Sequence, residues 1–280
     1  MNENLENKVC LITGATNGIG LESARALNKM GAEIVFIARN LDKAEKLKGE
    51  LFQDSGRTAT SIIADLSLQD EVKKAANEFL SLNKHLDILL NNAGIMNRER
   101  KETAEGFEEV FSVNHLAYFT LTLMLIDAMK NAGGGRIVNV ASMAYRFVSE
   151  MNFDDLQSKA NYKGLKVYGQ SKLANILLTR SLASKVKDND ITVNCLHPGY
   201  VDTGIGLNNK GFFVRLLMNM GRPFAKKTDK GAETSIYLCA SPKLEQVTGE
   251  YFVDCEVEEL LGAAKSEEQA QKLWSISSEL

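Results

Sequence analysis

The chain has little of what metal sites, disulfide frameworks and nucleic-acid interfaces are built from. Its four cysteines, Cys10, Cys195, Cys239 and Cys255, have no CxxC spacing and lie mostly in apolar or small-residue runs. That pattern reads as reduced, buried thiols. Its three histidines, His85, His115 and His197, are scattered, with no HxxxH or mixed His/Cys cluster, so no metal is expected. The formal net charge is only −3, with 25% charged residues and no polybasic tract, which argues against a nucleic-acid partner. Met1 to Asn7 is polar and runs almost directly into a strand pattern. There is no signal-peptide core and no apolar run of about 20 residues, so the expectation is a cytoplasmic chain without an integral membrane anchor. No repeat, low-complexity tract or linker interrupts the sequence, and residues 1–280 read as one domain with a sizeable core.

What is present is alternation. Short apolar, β-branched runs at Lys8–Thr13, Glu33–Ile37, Thr58–Ile63, Leu86–Leu90, Arg136–Val140, Thr192–Leu196 and Glu250–Val253 read as strands. Between them, Ile19–Met30, Asp42–Asp54, Gln69–Leu82, Thr103–Lys130, Tyr168–Lys187 and Lys230–Ala240 carry helical patterns. Repeated strand–helix–strand units predict an α/β, Rossmann-type doubly wound domain with a seven-stranded, mainly parallel sheet and helices on both faces. Two excursions break the rhythm, Met143–Val167 and Thr203–Thr228. Long excursions at strand carboxyl ends are where such proteins build substrate sites.

The first strand leads into Thr13-Gly14-Ala15-Thr16-Asn17-Gly18-Ile19-Gly20 and then a helix. A strand, a glycine-rich turn and a helix N-terminus offer free N–H groups and a positive helix end to a pyrophosphate. Gly14, Thr16, Asn17, Gly18, Ile19 and Gly20 are therefore candidate cofactor contacts. The bland reading is a tight turn with close helix–strand packing. At the end of the second strand, where NAD-preferring units place an acid for the ribose hydroxyls, the chain has Ala38-Arg39-Asn40. A guanidinium suits a 2′-phosphate, so NADP(H) is expected over NAD(H). Asp65-Leu66 follows the third strand, placed either to meet an adenine or to start a helix. Asn91-Asn92-Ala93-Gly94 follows the fourth, where small residues permit close backbone approach to a cofactor or simply form a turn.

Tyr168-Gly169-Gln170-Ser171-Lys172 places a phenol and an ammonium four residues apart on one helix face. Bringing an unperturbed tyrosine pKa from about 10 toward 7 takes roughly 4 kcal/mol of phenolate stabilisation, which a nearby cation in a partly dry site can supply. Lys172 is thus expected to depress the Tyr168 pKa.

Taken in order, TGxxxGIG at Thr13–Gly20, Asp65-Leu66, NNAG at Asn91–Gly94, Asn114, Ser142, YxxxK at Tyr168–Lys172 and Pro198-Gly199 with Thr203 resemble the short-chain dehydrogenase/reductase family over essentially the whole chain. The stretches LLNNAGIM, FSVNHLAYF, RIVNVAS, SKLANILLTRSLA and VNCLHPG look most like its retinol-dehydrogenase-like branch. The resemblance implies that Tyr168 acts as general acid or base and that Ser142 hydrogen-bonds the substrate oxygen. It also implies that Lys172 holds the nicotinamide ribose and that Asn114 keeps a water on a proton path. Asn92, Ala93, Gly94, Pro198, Gly199, Val201 and Thr203 would line the cofactor. It implies a small lipophilic aldehyde, ketone or alcohol as substrate, and a homodimer or homotetramer built partly from the Thr103–Lys130 and Tyr168–Lys187 helices.

At the substrate end, Phe212, Phe213, Val214, Leu216, Leu217, Met218 and Met220 cluster. They suggest a helical lid over an oily substrate, a helix packed in its own domain or subunit interface, or, with Arg215, Arg222, Lys226 and Lys227 interleaved, a weak membrane contact. Two other readings stand beside the reductase: a sensor or scaffold that binds NADP(H) without turnover, and a C=C reductase resembling protochlorophyllide reductases.

Overall fold

The computed structural model describes residues 3–199 and 228–280. Its centre is a single sheet of β1 Val9–Thr13, β2 Glu33–Ala38, β3 Thr60–Ile63, β4 Ile88–Asn91, β5 Gly135–Val140, β6 Ile191–His197, β7 Tyr251–Val253 and β8 Glu256–Val257, in the order β3-β2-β1-β4-β5-β6-β7-β8. The first seven run parallel, and β8 is antiparallel to β7. The eighth strand corrects the expected seven. It is a two-residue return after Asp254 and Cys255, which both take positive φ, and so short a strand carries no periodicity to read.

Successive residues of each strand face opposite sides. Cys10, Ile12, Ile34 and Phe36 pack on one face of the sheet, while Val9, Leu11, Val35 and Ile37 pack on the other. Both faces are therefore apolar and both are covered. The helices α1 Gly18–Lys29, α2 Leu41–Ser55 and α6 Thr228–Ala240 contribute to the first layer. The second layer holds α3 Gln69–Ser81, α4 Glu109–Asn131 and α5 Gly164–Val186. Strand order reverses between β1 and β4, which opens a crevice at their carboxyl ends.

The helical pattern expected from Thr103 begins later. Thr103–Phe107 is a turn closed by Thr103 N–H to Phe107 O at 2.8 Å, and Glu105 in that turn accepts the Gln69 and Asp70 N–H groups at the start of α3. Helix α4 starts at Glu109 because the buried Glu108 carboxylate accepts the Val110 and Phe111 N–H groups, an N-cap that satisfies first-turn donors. Within α4, Ser112–Leu116 widens into a π turn. Helix α4 has 23 residues, and an 18-residue stretch of it with a mean hydropathy of 1.3 is long and apolar enough to cross a membrane, yet 72% of that stretch is buried inside the fold.

Helix α7, Glu267–Glu279, is absent from the sequence reading. The signals for it exist: Ser266 caps Gln269 N–H, Glu267 and Glu268 fill the first turn, and Ala270, Leu273 and Ser277 form its buried side. It lies on α5, with Trp274 edge-on to Phe119 of α4 at 5.1 Å between centroids. As a result α5 is buried without a break from Ser171 to Thr179, and that stretch has no open side to offer a partner subunit.

A polar row ties the two central strands to their helices. Thr122 of α4 accepts from Asn91 Nδ2 at 3.0 Å, Asn91 also donates to Asn139 Oδ1 at 2.9 Å, and Asn139 Nδ2 donates to Thr179 Oγ1 of α5 at 3.0 Å. All four are at most 1% exposed. Asn139→Ala takes one hydrogen-bond partner from each of Asn91 and Thr179 in a dry interior, leaving them Thr122 and the Asn175 carbonyl, and should cost roughly 1–3 kcal/mol, read as a lower urea midpoint with an unchanged slope; an unaltered midpoint would mean that the row contributes nothing.

Candidate active site

The carboxyl ends of β1 and β4 are stitched together. Thr13 Oγ1 accepts the N–H groups of Asn92 and Ala93, each at 2.9 Å, and Asn92 Nδ2 donates to the carbonyls of Thr13 and Gly14. Gly14 holds φ at +68°, and a Cβ there would come within 2.9 Å of Ala93 Cα, so both conformation and space require glycine. Gly20 packs against the same Asn92 amide. Asn17 caps α1 by accepting the Gly18 N–H, while the following first-turn donors lie beyond the reach of the helix ladder. A phosphate-sized anion fits such a turn in charge and in hydrogen-bonding chemistry.

At the second strand end, the exposed Arg39 guanidinium sits 3.9 Å from Asp65 Oδ2. Asn40 caps α2 through Lys43 N–H. Asp65 is not the cap of α3, whose N-cap is Leu68; its Oδ1 accepts Ser67 N–H in a tight turn. Leu66 packs into the core. Pro198 and Gly199, partly buried, follow β6. Val201, Thr203 and the apolar cluster at 212–220 lie outside the described residues.

The candidate catalytic groups meet beyond β5. Ser142 follows the strand and caps a 3-10 turn, accepting Ala144 N–H at 3.2 Å. Helix α5 crosses this turn closely: a Cβ on Gly169 would come within 2.7 Å of Ala144 O. That approach brings Tyr168 to the Ser142 hydroxyl. One turn further, Lys172 Nζ donates to Val140 O at 2.8 Å and lies 5.6 Å and 5.9 Å from the ring centroids of Tyr168 and Tyr118, within cation–π range of both. Asn114, in the π turn, accepts Ile95 N–H at 2.8 Å and donates to Ile95 O at 2.9 Å and to Ser171 Oγ at 2.9 Å. Gly94 sits where a Cβ would be 3.4 Å from Lys172 Nζ and 3.5 Å from Asn114 Oδ1. Ser142, Tyr168, Lys172, Asn114 and Gly94 therefore converge.

The electrostatics correct the expectation for Tyr168. Desolvation pushes its phenol up to about 12, and the Ser142 hydroxyl offsets only part of that. The same burial brings Lys172 down to about 7. A dry site disfavours the charged form of each group, so the lysine yields its own charge before it can enforce a phenolate. Sequence reading missed Tyr118, whose hydroxyl donates to Ala93 O, and the Val140 carbonyl, which carries no side-chain signal at all.

Among the described residues no group of three or more His, Cys, Asp or Glu side chains could hold a metal ion. Cys10, Cys195 and Cys239 are free and buried, and Cys255 is half-buried.

Comparison with known proteins shows the family and the fold. The family model described as short chain dehydrogenase matches residues 8–210. Mouse retinol dehydrogenase 14 is 40% identical, covering 98% of this chain and 85% of that protein. A chloroplastic short-chain dehydrogenase TIC 32 B of Brassica napus is 37% identical over 96% of this chain and 87% of its own. Among solved structures, an NAD(P)-dependent gluconate 5-dehydrogenase, so described as putative, from Beutenbergia cavernae with bound NADP superposes with a TM-score of 0.73 at 27% identity, covering 90% of this chain and 96% of that one.

The depressed Lys172 pKa has a signed consequence. Between about pH 7, its folded value, and pH 10.5, its ordinary one, the unfolded chain binds the extra proton, so stability attributable to this residue rises with pH across that window. Lys172→Met should melt above the parent at pH 6–7, and the gain should vanish as pH approaches 10.5. A gain independent of pH would contradict a buried, charge-averse Lys172.

Proposed function

The chain belongs to the short-chain dehydrogenase family of oxidoreductases, and we propose that it transfers hydride between NADP(H) and a small lipophilic carbonyl or alcohol. The observation that carries the reading is the convergence of Ser142, Tyr168 and Lys172 at the carboxyl end of β5, beside Gly94 and the glycine turn of β1.

When bound, the nicotinamide supplies the hydride. Everything else is done by the chain. The turn from Gly14 to Gly20 would hold the pyrophosphate, and Arg39 at the end of β2 would face a 2′-phosphate, with Asp65 keeping its guanidinium on that side. Ser142 would hold the carbonyl oxygen against the phenol. Tyr168, protonated at neutral pH because burial raises its pKa to about 12, would donate the proton that the oxygen gains. With a pKa near 7, Lys172 is poised to take or share charge as that proton leaves. The lipophilic class rests on the similarity to retinol dehydrogenases and on the apolar cluster at Phe212–Met220.

We also place the chain in the cytoplasm; recovery of the expressed protein in a membrane pellet would overturn that placement.

NADPH oxidation at 340 nm with a panel of aromatic, medium-chain and retinoid carbonyls tests the function. Tyr168→Phe should lower kcat by roughly 10²–10⁴-fold while NADPH still binds. Turnover retained in that variant, or a higher kcat/KM with NADH than with NADPH, refutes the corresponding part of the reading.

A further inference from the structure

Beyond β3 the turn Asp65–Ser67 has an outer and an inner side. On the outer side the partly exposed Asp65 carboxylate stands near Arg39, 3.9 Å from its guanidinium. Its Oδ1 also accepts the Ser67 N–H at 3.0 Å, so the carboxylate shapes the turn that carries it. On the inner side the Ser67 carbonyl accepts the Ser112 hydroxyl of α4 at 2.8 Å. Ser67 is therefore held at its N–H by a partly exposed carboxylate and at its C=O by a helix.

Ser112 itself is fully buried. Its Oγ accepts from Gln69 Nε2 at 3.0 Å, and Gln69 Oε1 accepts from the Thr120 hydroxyl at 2.9 Å. Alanine is the better helix former and buries no polar atom, yet the chain places a hydroxyl here with its donor and acceptor roles both engaged. Ser112 is also where the π turn begins. The Ala117 N–H reaches back to Ser112 O, one residue further than in an α-helix. Asn114 lies inside this turn. Its carboxamide pairs with the Ile95 N–H and C=O and donates to Ser171 Oγ, which donates to Tyr168 O at 2.8 Å. The extra residue decides where Asn114 points, because closing the turn to α geometry would swing it by about 100° around the helix axis. A π turn is a rare alternative to the α register, and the Ser67 carbonyl grips it at its first residue.

We propose that Ser112 is a positioning residue: its hydroxyl, held by the Ser67 carbonyl, keeps the π turn that aims Asn114 and makes that aim respond to a nucleotide's adenine end at the Asp65–Ser67 turn. The inference deepens the reading of the crevice as a nicotinamide-dinucleotide site, with Asp65 at the adenine end and Asn114 at the reacting end, and rests on it. A ligand that draws on the Asp65 carboxylate competes for the oxygen that holds Ser67, and Ser67 passes the change to Ser112 through one hydrogen bond.

The test uses the full chain with Ser112→Ala, Ser112→Cys and Gln69→Met. Its probes are adenosine 2′,5′-bisphosphate and ADP, which can occupy the adenine end and carry no nicotinamide. Gln69→Met removes both Gln69 side-chain bonds to α4 and leaves the Ser112–Ser67 bond, so it controls for a merely loosened interior. The readout is the Asn114 side-chain amide signal in a nitrogen–proton spectrum, which in the parent should shift as the probe saturates. In Ser112→Ala the shift should fall by more than half while the probe binds within a few-fold of its parent affinity, and in Gln69→Met it should persist. If the alanine variant does not fold, Ser112→Cys, which keeps only a weaker donor, takes its place with the same expectation. In turnover, Ser112→Ala should lose on the order of 10-fold in kcat with the coenzyme KM within a few-fold, and Gln69→Met should keep its kcat. A parent signal indifferent to a bound probe, a full shift in Ser112→Ala, or an equal loss in Gln69→Met overturns the proposal. Failure of both probes to bind refutes the dinucleotide reading, and the inference falls with it. No turnover by the parent on any carbonyl counts against the proposed reaction alone, and the Asn114 signal still decides the coupling.

Discussion

The arrangement around the site depends on one buried cation and the carbonyl that holds it. Lys172 is 2% exposed, and its close hydrogen bond goes to the backbone oxygen of Val140, the last residue of β5. Sequestering an ammonium this way costs stability, and the described groups closest to it are neutral: the ring faces of Tyr168 and Tyr118 and the Val140 carbonyl, toward which the Asn175 amide also points at 3.4 Å. A carboxylate in their place would hold the lysine charged, whereas burial among them brings its pKa down to about 7.

The same logic explains why so much of the central core is polar. Asn91, Asn139, Thr122 and Thr179 form hydrogen bonds where valine or leucine would pack with less risk. Asn91 and Asn139 are register partners on β4 and β5, the two strands whose carboxyl ends carry the Asn92–Gly94 turn and Ser142. A hydrogen-bonded pair at that level fixes the relative height of those ends, since a slip of one residue would turn both side chains to the wrong face. The polar row therefore sets the distance between the cofactor turn and the reacting groups.

Much of this was legible in the sequence, for reasons that can be named. The parallel strands announce themselves because both sheet faces are covered and each strand is an unbroken apolar run. The glycine turn, Ser142 and YxxxK are legible because their chemistry restricts residue type. What stayed hidden belongs to the backbone and to distant partners. The Val140 carbonyl has no residue signature. The π turn at Ser112–Leu116 is a register change within an apolar helix whose composition is the same either way. Glu105 and Glu108 fall within the helical pattern expected over Thr103–Lys130 but are caps reached through a turn. The Tyr168 pKa was misjudged because helix spacing shows the neighbouring cation and not the dryness that neutralises it.

The burial of α5 beyond the site depends on the chain's far end. Helix α5 can bury every residue from Ser171 to Thr179 only if its outward side is covered, and α7 supplies the cover with Ala270 and Leu273 packed into the cluster that holds Leu173, Ala174, Ile176 and Leu177. A helix facing water on that side would admit solvent beside the lysine's own turn. Helix α7, whose first residue lies almost a hundred positions after Lys172, thus covers α5 between Ser171 and Thr179 from within the same chain.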